Sequence, residues 1–185
     1  MTPTLGLLRA LPHLRTLGLD RIPISNADAR LLGSLVTLET LTLRGSSITD
    51  AGISELVALP RIVQLTVEDT ATGDAGCARI ASSASIEVVN VSRTRVTSAC
   101  ISALARATSL RELYANGISS RSQELSLAPQ SRIEVLAMDD VRWDDGFVPA
   151  LLALRSLRSV SHPGPRLSAR GRKRLGDAGI AILRP

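Results

Sequence analysis

Apolar residues return in this chain about every 24 positions, and that period limits it to architectures in which one small unit stacks on copies of itself. The unit is clearest from Leu38 to Leu59, LETLTLRGSSITDAGISELVAL. With Leu38 as position zero, Leu41 and Leu43 fall at positions three and five, an alternation that suits a short half-buried strand. Ser46, Ser47 and Ile48 form a turn that tucks one apolar side chain back inside. Asp50 then precedes Ile53, Leu56 and Val57 at helical spacing. Asp is a preferred N-cap because its carboxylate accepts from the first free backbone amides. One unit is therefore strand, turn, capped helix, turn.

The columns agree with one another. Position zero is Leu14, Leu38, Ile62, Ile86, Leu110, Ile133 and Leu157, with every step 24 except the 23 between Leu110 and Ile133. Position ten reads Ile24, Ile48, Thr72, Val96, Ser120, Trp143 and Leu167, and position eighteen reads Leu32, Leu56, Ile80, Leu104, Ala128, Leu151 and Leu175. The expected cap column, position twelve, reads Asn26, Asp50, Asp74, Ser98, Ser122, Asp145 and Ala169. Stacked units of this kind align their strands into a parallel sheet on the concave face and put short helices on the convex face. The expectation is a single α/β solenoid domain over 1–185, with a partial unit at 1–13 and a C-terminal cap at 166–185.

These residues resemble leucine-rich repeats, whose unit length and L-x-x-L-x-L opening they share over nearly the whole chain. Segments such as ITDAGISELVAL, GDAGCARIASS and TSACISALARA look like the GALA-type repeats of bacterial type III effectors and like F-box-associated repeats. Position eight departs from commoner repeats, which carry Asn there. It holds Ile22, Ser46, Thr70, Thr94, Ile118, Val141 and Pro165, so hydroxyls would satisfy the turn in place of an Asn ladder at three of them.

Aromatic residues are limited to Trp143, Tyr114 and Phe147, so the core has to be aliphatic. No apolar run reaches 18 residues, so no membrane span is expected. The opening MTPTLGLLRALPHL lacks a basic start and reads as half a unit rather than a signal peptide. Cys77 and Cys100 read most simply as small buried core residues, which favours a reducing compartment over a disulfide. The expected location is cytoplasmic, or a host cell if the effector resemblance holds. Two histidines at opposite ends of the chain make no metal site, and no cofactor is expected.

Charge is uneven. From Arg155 onward there are eight basic residues against Asp177 alone, a local balance of plus seven in a chain of net charge +5. A stretch such as RLSARGRKRL suits a nucleic-acid patch, or a solvated capping helix. Irregularities gather toward the same end. Pro129 is expected to cut short the helix of the fifth unit, Trp143 enlarges position ten of the sixth, and HPGP with His162 breaks the seventh. At the other end, either an upstream segment has been removed or the strand expected over 14–19 exposes an unpaired edge.

Positions one, two, four and six point outward from the sheet. Tyr114 is the one aromatic at position four, and Arg111 lies on the same strand. Tyr114, Arg111, Asn90 and Glu87 are expected to form the middle of a protein-binding patch that extends to Arg44, Glu68, Asn116 and Asp139. The chain has no G-x-S-x-G, G-x-x-x-x-G-K or H-E-x-x-H. Asp139, Asp140, Asp144 and Asp145 crowd one turn, but helix capping already explains Asp145, and catalysis is not expected. The leading reading is a protein-interaction module, with a host protein as partner if the effector resemblance holds. Nucleic-acid binding through the basic C-terminal region and dimerisation through the exposed first strand are the alternatives.

Overall fold

The period of the sequence becomes the register of a sheet. A computed structural model of the protein describes residues 5–118, 125–139, 144–161 and 167–183. Eight short strands lie in one sheet in sequence order: β1 (Thr16–Gly18), β2 (Thr40–Thr42), β3 (Gln64–Thr66), β4 (Val88–Asn90), β5 (Glu112–Tyr114), β6 (Val135–Ala137), β7 (Ser159–Val160) and β8 (Ala181–Ile182). All neighbours are parallel, and equal positions of successive units pair: Leu17 with Leu41, Leu41 with Leu65, Leu65 with Val89. The short step reappears where Leu113 pairs with Leu136. β8 is one strand more than the seven units predict. After the last helix the chain turns through Gly179 in the left-handed region (φ 77°) and lays Ala181–Ile182 beside β7.

On the other side run α1 (Asn26–Leu32), α2 (Asp50–Leu56), α3 (Asp74–Ala81), α4 (Ser98–Leu104), α5 (Val148–Leu152) and α6 (Ala169–Asp177), preceded by a 3-10 turn at Gly6–Ala10. Neighbouring strands need ~4.8 Å and packed helices roughly 8–10 Å, so a stack of such units closes on its strand side. The sheet therefore takes the concave face of an α/β leucine-rich-repeat solenoid. Between the two layers the aliphatic columns merge into one core, with Leu38, Leu41, Leu43, Ile48 and Leu56 fully enclosed, and the equivalent residues of later units stacked beside them. Leu14 and Leu17 are only partly buried. The fifth unit has no helix over residues 125–132, and Leu125, Leu127 and Ala128 are buried there as irregular chain. Ser120, Ser122, Asp140, Val141, Trp143 and His162 to Arg166 lie outside the described residues.

The expected cap column does something else. Position twelve is the first helical residue, and the residue before it, in extended conformation, holds the cap site: Ser25, Thr49, Gly73, Thr97 and Ser168. The position-twelve side chains instead reach forward into the next unit. Asn26 Oδ1 accepts from the Thr49 amide (3.0 Å), Asp50 Oδ1 from Gly73 (2.6 Å), Asp74 Oδ1 from Thr97 (2.8 Å) and Asp145 Oδ1 from Ser168 (2.9 Å). Asp145 does not cap α5, whose N-terminal flank is Phe147. Its carboxyl is held below the usual range by the Ser168 hydroxyl and amide, with Arg170 and Arg174 adding to the effect.

That stitch accounts for the glycines two residues on. A Cβ at Gly52 would lie 2.7 Å from Asn26 Oδ1, at Gly76 2.6 Å from Asp50 Oδ1, and at Gly171 2.5 Å from Asp145 Oδ1. The D-A-G pattern is thus half of a contact whose other half lies one unit earlier. Position seven is the other column with a backbone demand. Arg21, Gly45, Asp69, Arg93 and Gly117 all have φ between 52° and 68°, the left-handed region that turns the chain out of each strand. At position eight, Thr70 and Thr94 donate to the carbonyls of Val67 (2.7 Å) and Val91 (2.6 Å), while the buried Ser46 hydroxyl finds no partner among the described residues.

The two cysteines are core residues, but they are not free. Cys77 of α3 and Cys100 of α4 form a disulfide with their Cα atoms 5.6 Å apart. Cys100 stands at position fourteen, which is Gly52, Gly76 and Gly171 in three other units, and Cys77 at position fifteen, so the helical stagger between adjacent units brings the two sulfurs together. The inference from free thiols to a reducing compartment falls with this bridge. No helix among the described residues is long and apolar enough to cross a membrane.

Candidate functional site

The outward side chains of the sheet divide into a central floor and two charged rims. Positions two and four make the floor: Thr40 and Thr42 on β2, Gln64 and Thr66 on β3, Val88 and Asn90 on β4, Glu112 and Tyr114 on β5, Val135 and Ala137 on β6. They face outward because the residue between each pair, such as Leu65, Val89 or Leu113, is committed to the core.

Position one forms the first rim, an ion-pair ladder. Arg15 bonds Glu39 (2.7 Å), and three units further on Arg111 lies between Glu87 (3.7 Å) and Glu134 (2.9 Å), with Glu134 also holding Arg158 (3.0 Å). Exposed Val63 separates the two parts. At the second rim Glu68, with a side chain only 14% exposed, receives Arg44 (3.5 Å), Arg93 and the Asn90 amide (3.2 Å). Further along, Asn116 Oδ1 accepts from the Asp139 amide (2.8 Å), and the Asn116 amide donates to Ser92 Oγ (3.0 Å).

The eight residues expected from the sequence are thus all on this face, divided among the floor and the two rims. Glu87 and Arg111 belong to one rim. Arg44, Glu68, Asn116 and Asp139 belong to the other. Asn90 stands on the floor with both ends of its amide in use, Nδ2 on Glu68 and Oδ1 accepting from Ser92 (2.9 Å), so it supports the sheet more than it offers a free group. Tyr114 stands apart from both rims and donates its hydroxyl to Glu112 Oε2 at 2.8 Å. Partial burial first, and then the Glu112 carboxylate, push the phenol up to about 12, so it is a neutral donor at physiological pH.

Glu112 was not among the expected residues. The signal that would have found it is position two, which reads Thr16, Thr40, Gln64, Val88, Glu112, Val135 and Ser159 and has one charged member. Gln64, Thr66, Val88, Asn90, Glu112 and Tyr114 line a depression of about 360 Å³ in the middle of the sheet.

Of the aspartates that crowd the sixth unit, Asp144 and Asp145 serve the backbone of their own and the next unit. Asp144 accepts from the Gly146 amide (3.0 Å) and Asp145 from Ser168. Among the described residues no group of three or more His, Cys, Asp or Glu could hold a metal ion. On α6, Arg170, Lys173 and Arg174 are exposed; Lys173 pairs with Asp177 one turn away (2.9 Å).

No family model and no curated protein matches this sequence. Solved structures do match in shape. One is internalin C2 from Listeria monocytogenes str. 4b F2365, with a TM-score of 0.59, 18% identity, and coverage of 92% of this chain and 80% of that one. Another is TLR13 in the TLR13–ssRNA13 complex, with a TM-score of 0.60 and 15% identity; the alignment covers 98% of this chain but only 30% of the receptor chain. Both likenesses concern the fold.

Proposed function

We propose that the chain is a protein-recognition module that binds a protein partner on the concave face of its sheet. The observation that carries the reading is Tyr114, a lone aromatic rising beside a depression in a floor of small and polar side chains. Around it the arginines and glutamates of the rims are paired, which holds them in place and leaves the floor as the surface a partner can desolvate at least cost. Substituting Tyr114 and Arg111 together with Ala is expected to weaken binding of a captured and purified partner by more than about tenfold, or ~1.4 kcal/mol. Unchanged affinity refutes the patch.

The resemblance to GALA-type effector repeats favours a host protein as partner and a substrate-recognition role. The Cys77–Cys100 bridge weighs the other way, since a protein working in a reducing cytosol would not keep it. Counting free thiols in protein taken from its native source decides between these locations.

A second reading rests on α6, whose exposed Arg170, Lys173 and Arg174 suit a phosphate backbone, and one structural neighbour was solved with single-stranded RNA. It predicts affinity for an oligonucleotide that falls steeply with salt, whereas the concave reading predicts little salt dependence. The absence of aromatic stacking residues from α6 favours the first reading.

A further inference from the structure

Seven glutamates occur in the chain, and six of them lie among the described residues. Glu39, Glu55, Glu68, Glu87 and Glu134 each pair with an arginine. Glu112 is the exception: among the described residues no cation lies within ion-pair distance of it, and its one recorded side-chain bond is from the Tyr114 hydroxyl. It is also the only charged residue in the two columns that floor the sheet. A surface that neutralises the other described glutamates leaves this one without a cation at the wall of its depression. We propose that the depression between β3, β4 and β5 receives one cationic side chain, a lysine or arginine, from an extended segment of a protein partner, with Glu112 as its counter-ion.

The surroundings fit such a side chain along its length. Strand spacing makes the depression about 10 Å across from β3 to β5. Val88 and the methyl of Thr66 offer apolar floor for the aliphatic stem, which long basic side chains bury while their heads stay polar. At the far wall Tyr114 and Glu112 stand side by side: Oε2 is occupied by the phenol, Oε1 remains to accept, and the ring face adds cation–π attraction. Gln64 supplies a further acceptor on the β3 side. One carboxylate is too few for a metal ion, and an open depression of about 360 Å³ does not enclose a free amine, so the cation has to be carried by a chain that also rests on the rims.

The inference rests on the concave-face reading, and the two can fail separately. A displayed library of random twelve-residue peptides is selected against the immobilised full chain, and the enriched peptides are measured in solution against wild type, Glu112→Gln and the Arg111→Ala/Tyr114→Ala variant. Thermal melts first establish that each variant is folded. The expected result is enrichment of peptides sharing a lysine or arginine, which Glu112→Gln weakens by about tenfold or more. Replacing that basic residue by glutamine should cost as much, with no further loss when both changes are combined. Peptides that lose affinity for the double alanine variant, yet carry no shared basic residue or ignore Glu112→Gln, overturn the inference and leave the concave face standing. Peptides insensitive to both variants overturn the two together.

Discussion

Tyr114 is the only tyrosine in the chain, so its state can be read without interference from another phenol. Its ionisation is raised from 10.0 to about 12 by burial, with the neighbouring Glu112 second. The folded form therefore holds its proton more tightly than the unfolded chain. This group's contribution to stability is complete below pH 10 and is lost as pH rises toward 12. Absorbance near 295 nm is expected to show one transition close to 12, and Glu112→Gln to lower it only part of the way, because burial remains. A wild-type midpoint at 10 would contradict the contact. Glycine makes the second residue-scale case. Gly76→Ala pushes a methyl against Asp50 Oδ1 and should cost about 1–3 kcal/mol as the stitch to Gly73 breaks. Gly176→Ala, in α6 with open space around it, should gain about 0.5–1 kcal/mol from helix preference. Urea midpoints that move the same way for both would count against this account.

At the scale of the element, the helices are too short to be stable alone. α2 and α4 are seven residues each, and they persist because an apolar stripe packs on the sheet and a side-chain oxygen from the preceding unit, Asn26 for α2 and Asp74 for α4, ties down the residue before the helix. The bridge between α3 and α4 adds a covalent tie of sequence separation 23. On the chain-entropy estimate, closing a loop of that length is worth about 3 kcal/mol, so Cys77→Ala/Cys100→Ala should lower the urea midpoint accordingly, and a reductant should have the same effect on wild type. A protein whose midpoint ignores both treatments has no bridge. Reading this pair as unbridged core residues failed because burial was legible from the register while the sideways offset between positions fourteen and fifteen of adjacent helices was not.

Across the whole molecule, contacts link each unit to its neighbours, so stability is close to a sum of unit and interface contributions along one dimension. From α1 to α4 the helical layer is continuous and stitched. Over 125–132 a helix is missing, and the layer resumes with α5 and α6. Hydrogen exchange is expected to be slowest in β2 to β4 and α1 to α4, and faster from β6 onward, with the break at the fifth unit. Uniform protection from end to end would mean that the weak unit does not divide the stack.

The unit, its period, the columns that fill the core and the face turned outward were legible in the amino-acid order, since each depends only on apolar residues recurring at fixed spacing. Even the odd step of 23 between Leu110 and Ile133 came through as a strand register. Folding settled which side chains meet across units. It turned the supposed caps Asn26, Asp50 and Asp74 into stitches, separated Glu87 and Arg111 from Glu68 and Arg44 as opposite rims, joined Cys77 to Cys100, and left Glu112 without a cation among the described residues. Those outcomes turn on close contacts between residues more than twenty positions apart, a scale at which lateral offset decides the partner and periodicity is silent.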